Sequence, residues 1–327
     1  MARHIQPQAR ADPCGASAHT ADPSSPTGGL GFGLGCARRN QGGSPVAEPS
    51  RSVLITGCSS GIGHELALRM QRRDWIVYAT ARRLAAIEDL AHAGCEVLAL
   101  DVTSEDSMVE ALGTLAGRGI ILDALVNNAG YGLYGPVEQL GLKDARAQFE
   151  TNVFGLVRMT QLVLPIMRQA HRGRIVNISS VGGRTVFPGS AFYHASKFAL
   201  EALSDALRFE VHPFGIDVVL IEPGPVRTLW GEKAATSLAL SVSEDGADPY
   251  DHYKAQVLAM LDGTSTGFAS RFSSSPAHVA AVVERALTRR RPRSRYLIGL
   301  PAHLGVALEL MVPDRLRDAV FRKVLRL

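Results

Sequence analysis

Two side chains in the middle of the chain have the types and the spacing for proton transfer. Tyr193 and Lys197 lie in the run Tyr193-His194-Ala195-Ser196-Lys197, and their i, i+4 spacing places both on one face of a helix. A free phenol is a poor base near neutral pH, and a neighbouring ammonium group favours the phenolate. The pair predicts acid/base catalysis by Tyr193, although a Tyr-x-x-x-Lys sequence alone often arises by chance.

A hydroxyl group is expected beside this pair. Ser180 ends the apolar run 173–180, thirteen residues before Tyr193. In parallel α/β sheets, ligands bind at the carboxyl ends of the strands. Ser180 is therefore predicted to lie where a ligand binds.

A glycine-rich turn predicts the binding of a pyrophosphate. The run Thr56-Gly57-Cys58-Ser59-Ser60-Gly61-Ile62-Gly63 lies between a strand pattern and a helical pattern. Its glycines permit a tight turn, a close backbone approach to the ligand and close packing of the helix, whose N-terminal N–H groups hold the anion. This position favours a dinucleotide site over an ordinary turn.

The end of the second predicted strand favours NADP(H) over NAD(H). In NAD sites an acidic residue about 20 positions further on binds the ribose 2′-OH, whereas an arginine accommodates a 2′-phosphate. Here the run 78–83 ends in Arg82 and Arg83 and contains no carboxylate. We expect Arg82 to bind the phosphate bidentately, helped by Arg83 and by the Ser59 hydroxyl.

These residues need a frame of alternating strands and helices. From residue 51 onward, short apolar runs alternate with helical periods, which is typical of a parallel sheet covered on both faces. We expect a single doubly wound, Rossmann-type α/β domain with a three-layer architecture. Strands are predicted at 52–56, 75–80, 96–100, 124–126, 174–179, 217–221 and 295–298, and helices at 63–72, 84–93, 104–116, 144–168, 193–212 and 276–288.

Three segments depart from this alternation. Residues 1–50, rich in Ala, Gly, Pro and Ser, are predicted to be a disordered extension of a domain that covers 51–327. Residues 231–275 are predicted to be an irregular insertion on the substrate side. The pattern of residues 296–312 predicts a strand, a loop and an amphipathic helix. We therefore expect no membrane-spanning helix here, and peripheral contact with a membrane is an alternative.

Composition limits the class of protein. A chain of 327 residues with 46% hydrophobic and 20% charged residues is predicted to be globular. The net charge of +4 comes largely from arginines in tail and loop segments, so nucleic-acid binding is not expected. The cysteines Cys14, Cys36, Cys58 and Cys95 have no metal-like spacing, and no secretory signal is evident. We expect a cytoplasmic protein without a metal site.

Together these motifs resemble the short-chain dehydrogenase/reductase family. The resemblance covers about residues 51–230 and is carried by Thr56-Gly57-x-x-x-Gly61-x-Gly63, Asp101-Val102, Asn127-Asn128-Ala129-Gly130, Asn152, Ser180, Tyr193-x-x-x-Lys197 and Pro223-Gly224. Within the family, the stretches 53–60, 77–80, 180–183 and 195–201 are similar to the 17β-hydroxysteroid and retinol dehydrogenase branch.

The resemblance implies a role for each of four catalytic residues. Tyr193 would donate a proton to a carbonyl oxygen in reduction, or remove one from a hydroxyl in oxidation. Ser180 would hydrogen-bond the reacting oxygen. Lys197 would lower the pKa of Tyr193 and bind the nicotinamide ribose, and Asn152 would hold a water molecule in a proton relay.

The resemblance also implies the cofactor contacts. Asp101 would contact the adenine beside Val102, and Asn128, Ala129 and Gly130 would border the adenosine ribose. The nicotinamide would be bordered by the segment that contains Pro223, Gly224, Val226 and Thr228.

The substrate is expected to be a hydrophobic alcohol or ketone that is steroid-, retinoid- or lipid-like. The residues expected to line its pocket are mostly apolar, namely Tyr131, Leu133, Tyr134, Val186, Phe187, Leu229 and Trp230. The chain after Trp230 matches no steroid-binding pattern, and a reductase of acyl-carrier-bound or polyketide ketones remains an alternative. An NADP(H)-sensing regulator is disfavoured because all four catalytic groups are present. The family resemblance further implies a homodimer or homotetramer formed through helices 144–168 and 193–212.

Overall fold

A seven-stranded parallel sheet forms the centre of the molecule. The computed structural model describes residues 51–227, 238, 248–265 and 272–324. The strands are β1 (Ser52–Ile55), β2 (Ile76–Ala81), β3 (Glu96–Ala99), β4 (Ala124–Asn127), β5 (Gly173–Ile178), β6 (Ile216–Pro223) and β7 (Arg295–Ile298). Their order is β3-β2-β1-β4-β5-β6-β7. The direction of winding therefore reverses between β1 and β4, and ligands of such sheets bind in the crevice at this reversal.

Helices cover both faces of the sheet. They are α1 (Gly61–Gln71), α2 (Glu88–His92), α3 (Glu105–Gly117), α4 (Leu142–Phe149), α5 (Leu156–Gln169), α6 (Ala191–Val211), α7 (Asp251–Ser265), α8 (Pro276–Thr288), α9 (Leu300–Met311) and α10 (Asp314–Val324). Val53 and Ile55 of β1 pack with α1 and α8 on one face, and Leu54 packs with α3 and α5 on the other. This alternation buries both faces of the central strands.

The predicted doubly wound fold is confirmed. All seven predicted strands are present, with ends within about two residues of the predicted ones. Five of the six predicted helical segments also begin and end within about two residues of prediction, whereas the segment 84–93 consists of a 3-10 turn at Leu84–Ala86 followed by α2. None of the helices in the described ranges combines the length and the apolar character needed to cross a bilayer.

One predicted helix is interrupted. Residues Glu150–Gly155, between α4 and α5, form a π-helical segment rather than a continuous α-helix. Gly155 approaches the loop after β3 so closely that a Cβ there would lie 2.2 Å from the carbonyl oxygen of Val102. Glycine at this position allows the wide turn to pack against that loop.

The prediction of an irregular segment at 231–275 is wrong for the residues of α7. Tyr253, Val257 and Leu261 recur at a spacing of four residues and pack in one cluster with Leu238 and Tyr134. This periodicity was masked by the Gly-, Ser- and Asp-rich sequence on either side of it. The other residues of the segment lie mostly outside the described ranges, as do residues 1–50.

Candidate active site

Helix α6 brings Tyr193 and Lys197 to the carboxyl end of β5. Lys197 is buried, and its Nζ donates a hydrogen bond of 2.8 Å to the carbonyl oxygen of Ile178. The same Nζ lies 5.8 Å from the centroid of the Tyr193 ring. The helical spacing thus places both side chains on the face of α6 that meets the end of the strand.

Ser180 joins this pair from the loop that follows β5. Its Oγ accepts a hydrogen bond of 3.0 Å from the N–H of Gly182 and so caps the short 3-10 turn Val181–Gly183. The Ser180 side chain is also hydrogen-bonded to the Tyr193 hydroxyl. Hydroxyl, phenol and ammonium are therefore grouped at the ligand-binding edge of the sheet.

The environment perturbs both ionisable groups of the pair. Burial raises the pKa of Tyr193 to about 12, and the hydrogen bond from Ser180 opposes this shift. Burial lowers the pKa of Lys197 to about 8, and the negative charge of Glu201 opposes that shift. Burial thus outweighs the hydrogen bond from Ser180 and favours the protonated phenol.

His194 fixes the loop that carries Ser180. Its Nδ1 lies 2.8 Å from the carbonyl oxygen of Gly182, and its Nε2 lies 3.1 Å from the backbone nitrogen of Phe187. Because a backbone N–H can only donate, Nε2 accepts and Nδ1 carries the proton. Burial lowers the pKa of His194 and favours this neutral form. In the sequence, no pattern distinguishes His194 beyond its position between Tyr193 and Lys197.

Asn152 lies in the π-helical segment and organises the wall opposite α6. Its Oδ1 accepts from the N–H of Tyr131, and its Nδ2 donates to the carbonyl oxygen of Tyr131 and to Ser196 Oγ, at 3.0, 2.9 and 3.0 Å. Both amide N–H groups are therefore engaged within the protein. A Cβ on Gly130 would lie 3.1 Å from Asn152 Oδ1 and 3.8 Å from Lys197 Nζ, so only glycine leaves this space open.

The predicted phosphate turn has the conformation that its glycines allow. Gly57 and Gly61 have φ values of 71° and 64°, and α1 begins at Gly61. A Cβ on Gly63 would lie 2.4 Å from Asn128 Nδ2 and 2.7 Å from the carbonyl oxygen of Gly57. Ser59 and Ser60 are exposed at the turn, beside the free N–H groups of the helix.

The segment after β4 supports this turn from behind. Asn128 Nδ2 donates to the carbonyl oxygens of Thr56 and Gly57 at 2.8 and 2.9 Å. The backbone N–H groups of Asn128 and Ala129 both donate to Thr56 Oγ1 at 3.0 Å. The Asn128 side chain therefore holds the backbone of the turn.

The adenosine side of the crevice contains Asp101 and Arg82. Asp101 Oδ1 accepts hydrogen bonds from the N–H and the hydroxyl of Thr103 at 2.9 and 2.8 Å. Val102 beside it is buried. Arg82 and Arg83 are exposed where β2 ends, and no ion pair joins either of them to an acidic residue of the described ranges.

On the nicotinamide side, the turn after β6 is clamped by β7 and α9. The N–H of Gly224 donates to the carbonyl oxygen of Ile298 at 2.9 Å, and a Cβ on Gly224 would lie 3.3 Å from the Cβ of Ala302. Val226 forms an isolated bridge with Ser274. The predicted contact Thr228 lies outside the described residues, as do the predicted pocket residues Leu229 and Trp230.

Two of the remaining pocket residues, Tyr134 and Phe187, lie in different clusters. Tyr134 is buried under α7, and the nearby phenol of Tyr193 adds to the effect of burial in raising its pKa. Phe187 instead packs in the cluster of Val181, Ala302 and Val306, with its ring 6.3 Å from that of Phe321. Tyr134 therefore lies near Tyr193, whereas Phe187 joins the loop to α9 and α10.

An ionic cluster that no local sequence pattern marks lies behind α6. We define it as five residues, Arg184, Glu201, Asp205, Glu222 and Arg295. Arg295 lies 3.1 Å from Glu201, 2.6 Å from Asp205 and 2.9 Å from Glu222. Arg184 lies 3.5 Å from Glu222. Burial, followed by the charge of Glu201, raises the pKa of Glu222 to about 7.

The crevice fits a nicotinamide dinucleotide. The positive-φ glycines and the N-terminus of α1 form a cradle for a pyrophosphate. Asp101 keeps Oδ2 available on the adenosine side, and the space at Gly130 lies between Asn152 and Lys197. These groups thus lie along the carboxyl ends of the strands from β3 to β6.

Known proteins share this arrangement. The profile of the family described as short chain dehydrogenase matches residues 51–238. The 3-ketodihydrosphingosine reductase of Bacteroides thetaiotaomicron is 36% identical over 271 residues, which cover 83% of this chain and 96% of that protein. Retinol dehydrogenase 8 of Homo sapiens is 41% identical over 214 residues, which cover 62% of this chain and 68% of that protein.

Solved structures agree with these matches. A short-chain dehydrogenase from Streptomyces avermitilis has a TM-score of 0.69 at 33% identity and covers 86% of this chain and 98% of that one. A serine dehydrogenase complexed with NADP+ has a TM-score of 0.64 at 27% identity, covering 76% and 94%. An NAD+-bound xylitol dehydrogenase has a TM-score of 0.64 at 25% identity, covering 76% and 97%. The crevice and these likenesses together show that the chain belongs to the short-chain dehydrogenase/reductase family of oxidoreductases.

Proposed function

We propose that this protein transfers a hydride between NADP(H) and a hydrophobic alcohol or ketone, with Tyr193 as the acid/base. The observation that carries the proposal is the grouping of Tyr193 with Ser180 and Lys197 at the carboxyl edge of the sheet. A pKa of about 12 keeps the phenol protonated at neutral pH, so it can donate to a carbonyl oxygen.

The residues of the chain have distinct tasks in this reaction. When bound, the nicotinamide supplies or accepts the hydride. Ser180 hydrogen-bonds the reacting oxygen and stabilises the negative charge that develops on it. Tyr193 gives its proton to that oxygen in reduction and takes one from the substrate hydroxyl in oxidation. The Lys197 ammonium favours the phenolate that remains after proton donation.

Arg82 supports the preference for NADP(H). It is exposed at the end of β2, where the 78–83 run places no carboxylate, and its guanidinium suits a 2′-phosphate. Ser59 adds a hydroxyl from the phosphate turn. The similar structures include both NADP+ and NAD+ complexes, so the preference depends on these side chains.

The substrate class follows from the apolar wall and from the relatives. Tyr134 and α7 place a buried apolar cluster beside Tyr193. The relatives named for retinol and for 3-ketodihydrosphingosine act on molecules with long apolar chains. We propose a lipid-like alcohol or ketone for this protein too.

The activity is tested by following NADPH oxidation with a panel of retinoid, long-chain, steroid and acyl ketones. We expect turnover with the long-chain or retinoid members. Tyr193→Phe should abolish turnover and leave the Kd for NADPH nearly unchanged, because it removes only the hydroxyl group that exchanges the proton and keeps the ring. Reduction by this variant at the wild-type rate would refute the mechanism.

The cofactor preference is tested separately by titrating NADPH and NADH into Arg82→Ala. We expect the affinity for NADPH to fall far more than that for NADH, because only NADPH carries the 2′-phosphate. Arg83→Ala is the matched control and should show the smaller change. Equal losses for the two cofactors in Arg82→Ala would exclude this role for Arg82.

A further inference from the structure

Helix α9 presents an apolar face away from the rest of the protein. Residues separated by three, four or seven positions share one side of a helix. On the outer side of α9 these are Leu300, Leu304, Ala307, Leu308 and Met311, and we call this set the outer apolar face. Leu304, Leu308 and Met311 are 55%, 59% and 81% exposed. A helix whose outer side meets water normally carries polar residues there, so this face is suited to contact with another apolar surface.

Helix α10 adds further exposed apolar residues and positive charge. Leu316 and Val320 are exposed and lie one turn apart. Each of the three acidic residues in α9 and α10 pairs with Arg317. They are Glu309, Asp314 and Asp318. Three exposed basic residues of α10 form no ion pair with any residue of the described ranges. These are Arg315, Arg322 and Lys323.

The buried side of α9 contacts two segments of the active site. Ala302 and Val306 pack in one cluster with Phe187, which lies in the loop after β5. A Cβ on Gly224, in the turn that borders the nicotinamide side, would lie 3.3 Å from the Cβ of Ala302. The outer apolar face is therefore about one helix diameter, roughly 10 Å, from segments that surround the reacting groups.

We propose that the outer apolar face docks on a lipid bilayer that contains anionic lipids, and that the lipid-like substrate reaches the active site from this bilayer. Helices that lie at a bilayer surface combine an exposed apolar side with basic residues, which the negative headgroups attract. A second copy of the chain would bring positive charge towards positive charge at this surface, whereas anionic headgroups neutralise it. The delivery of substrate rests on the proposed function, and the docking itself does not.

The docking is tested by sedimentation of the full chain with vesicles of equimolar phosphatidylcholine and phosphatidylglycerol. Leu304→Glu is compared with Val109→Glu on α3, because Val109 is also an exposed aliphatic residue of a helix, at 49% exposure. We expect the wild type and Val109→Glu to bind alike. Leu304→Glu should bind about 100-fold more weakly, because it loses a buried leucine and adds a charge that the headgroups repel. Both variants should keep the wild-type Kd for NADPH, which checks the fold.

The contribution of charge is tested with a double variant that carries Arg322→Gln and Lys323→Gln. Its binding to the same vesicles should be about 30-fold weaker, the effect of two basic residues near an anionic surface. Vesicles of phosphatidylcholine alone should bind this variant and the wild type equally. This variant leaves α9 unchanged, so the docking stays testable if Leu304→Glu does not fold.

Three results would overturn the docking. One is a wild type that does not sediment with the anionic vesicles. Another is an equal loss of binding in Leu304→Glu and Val109→Glu. The third is a dimeric wild type that Leu304→Glu converts to monomers without a change in vesicle binding, because the outer apolar face would then be a contact between copies.

The delivery of substrate is tested with a long-chain ketone presented either in the vesicles or dissolved with detergent. For the embedded ketone, Leu304→Glu should raise the apparent KM by about the factor that it loses in vesicle binding. For the dissolved ketone, kcat and KM should equal those of the wild type. A wild-type KM of Leu304→Glu for the embedded ketone would reject the delivery.

The same measurements separate the docking from the proposed function. If the wild type binds the vesicles but reduces no ketone in either form, the proposed function fails and the docking stands. If it reduces the dissolved ketone but does not bind the vesicles, the proposed function stands and the docking is rejected.

Discussion

The phosphate turn and the catalytic helix are held by different kinds of interaction. Around the turn, the contacts are neutral hydrogen bonds, such as those from Asn128 to the carbonyl oxygens of Thr56 and Gly57. Behind α6, the contacts are ion pairs centred on Arg295 and the buried Glu222. Neutral contacts do not titrate near neutral pH, whereas a buried carboxyl group does. The cofactor side should therefore tolerate changes of pH, and the catalytic side should respond to them.

The largest effect is expected from Gly63→Ala on the cofactor side. The added Cβ would lie 2.4 Å from Asn128 Nδ2 and 2.7 Å from the carbonyl oxygen of Gly57, so the turn must shift. We expect the Kd for NADPH, measured by fluorescence titration, to rise by about 100-fold at every pH, equivalent to roughly 2.7 kcal/mol. Gly113→Ala in α3 is the control, because a Cβ there has no neighbour within 4 Å. Unchanged binding in Gly63→Ala would show that the turn is not closely packed.

The second largest effect is expected from the buried carboxyl group of Glu222. It tests whether the contacts behind α6 respond to pH while those around the phosphate turn do not. Its pKa is raised from 4.5 to about 7 on folding, so the folded protein holds a proton that the unfolded chain releases in this range. The stabilisation is complete below pH 4.5 and is lost as the pH rises to 7. Relative to Glu222→Gln, the free energy of unfolding of the wild type should fall by roughly 2.5 kcal/mol across this window.

Urea denaturation at several pH values measures this difference. Glu110→Gln, at an exposed position on α3, is the control and should run parallel to the wild type. A difference between the wild type and Glu222→Gln that stays constant from pH 4.5 to 7 would contradict the assignment of the titrating group.

The smallest effect is expected from His194→Phe on the catalytic side. This replacement removes the hydrogen bonds to Gly182 and Phe187, each worth about 1 kcal/mol. Because the loop carries Ser180, kcat should fall by about fivefold to tenfold while the Kd for NADPH stays the same. His278→Phe on the exposed face of α8 should change neither. Equal losses in kcat and in NADPH affinity would mean that the loop carrying Ser180 also supports the cofactor side. The cofactor side and the catalytic side would then not respond independently.

The sequence predicted the parts of the site that depend on short-range patterns. The glycine turn at 57–63 and the spacing of Tyr193 and Lys197 each lie within eight residues, and the structure places them as expected. The alternation of Val53, Leu54 and Ile55 likewise reflects local burial on the two faces of a sheet. Backbone conformation and helical or strand periodicity determine such features directly.

The parts that were missed depend on contacts between distant segments. Arg295 and Glu201 are 94 residues apart, and no local pattern marks them as partners. The effect of burial on the Tyr193 pKa likewise depends on packing between distant segments, which the sequence does not display. Helix α7 had a readable period in Tyr253, Val257 and Leu261, but the composition around it concealed that period.

The π-helical segment Glu150–Gly155 has a consequence for how the chain can change in length. A π turn accommodates one residue more than an α-turn, so deleting one residue here would restore a regular helix. That deletion would rotate α4 by about 100° relative to α5 and turn Asn152 away from Tyr131. Relatives should therefore vary in length in the loops that join the helices and strands, and keep the residue count constant through this helix.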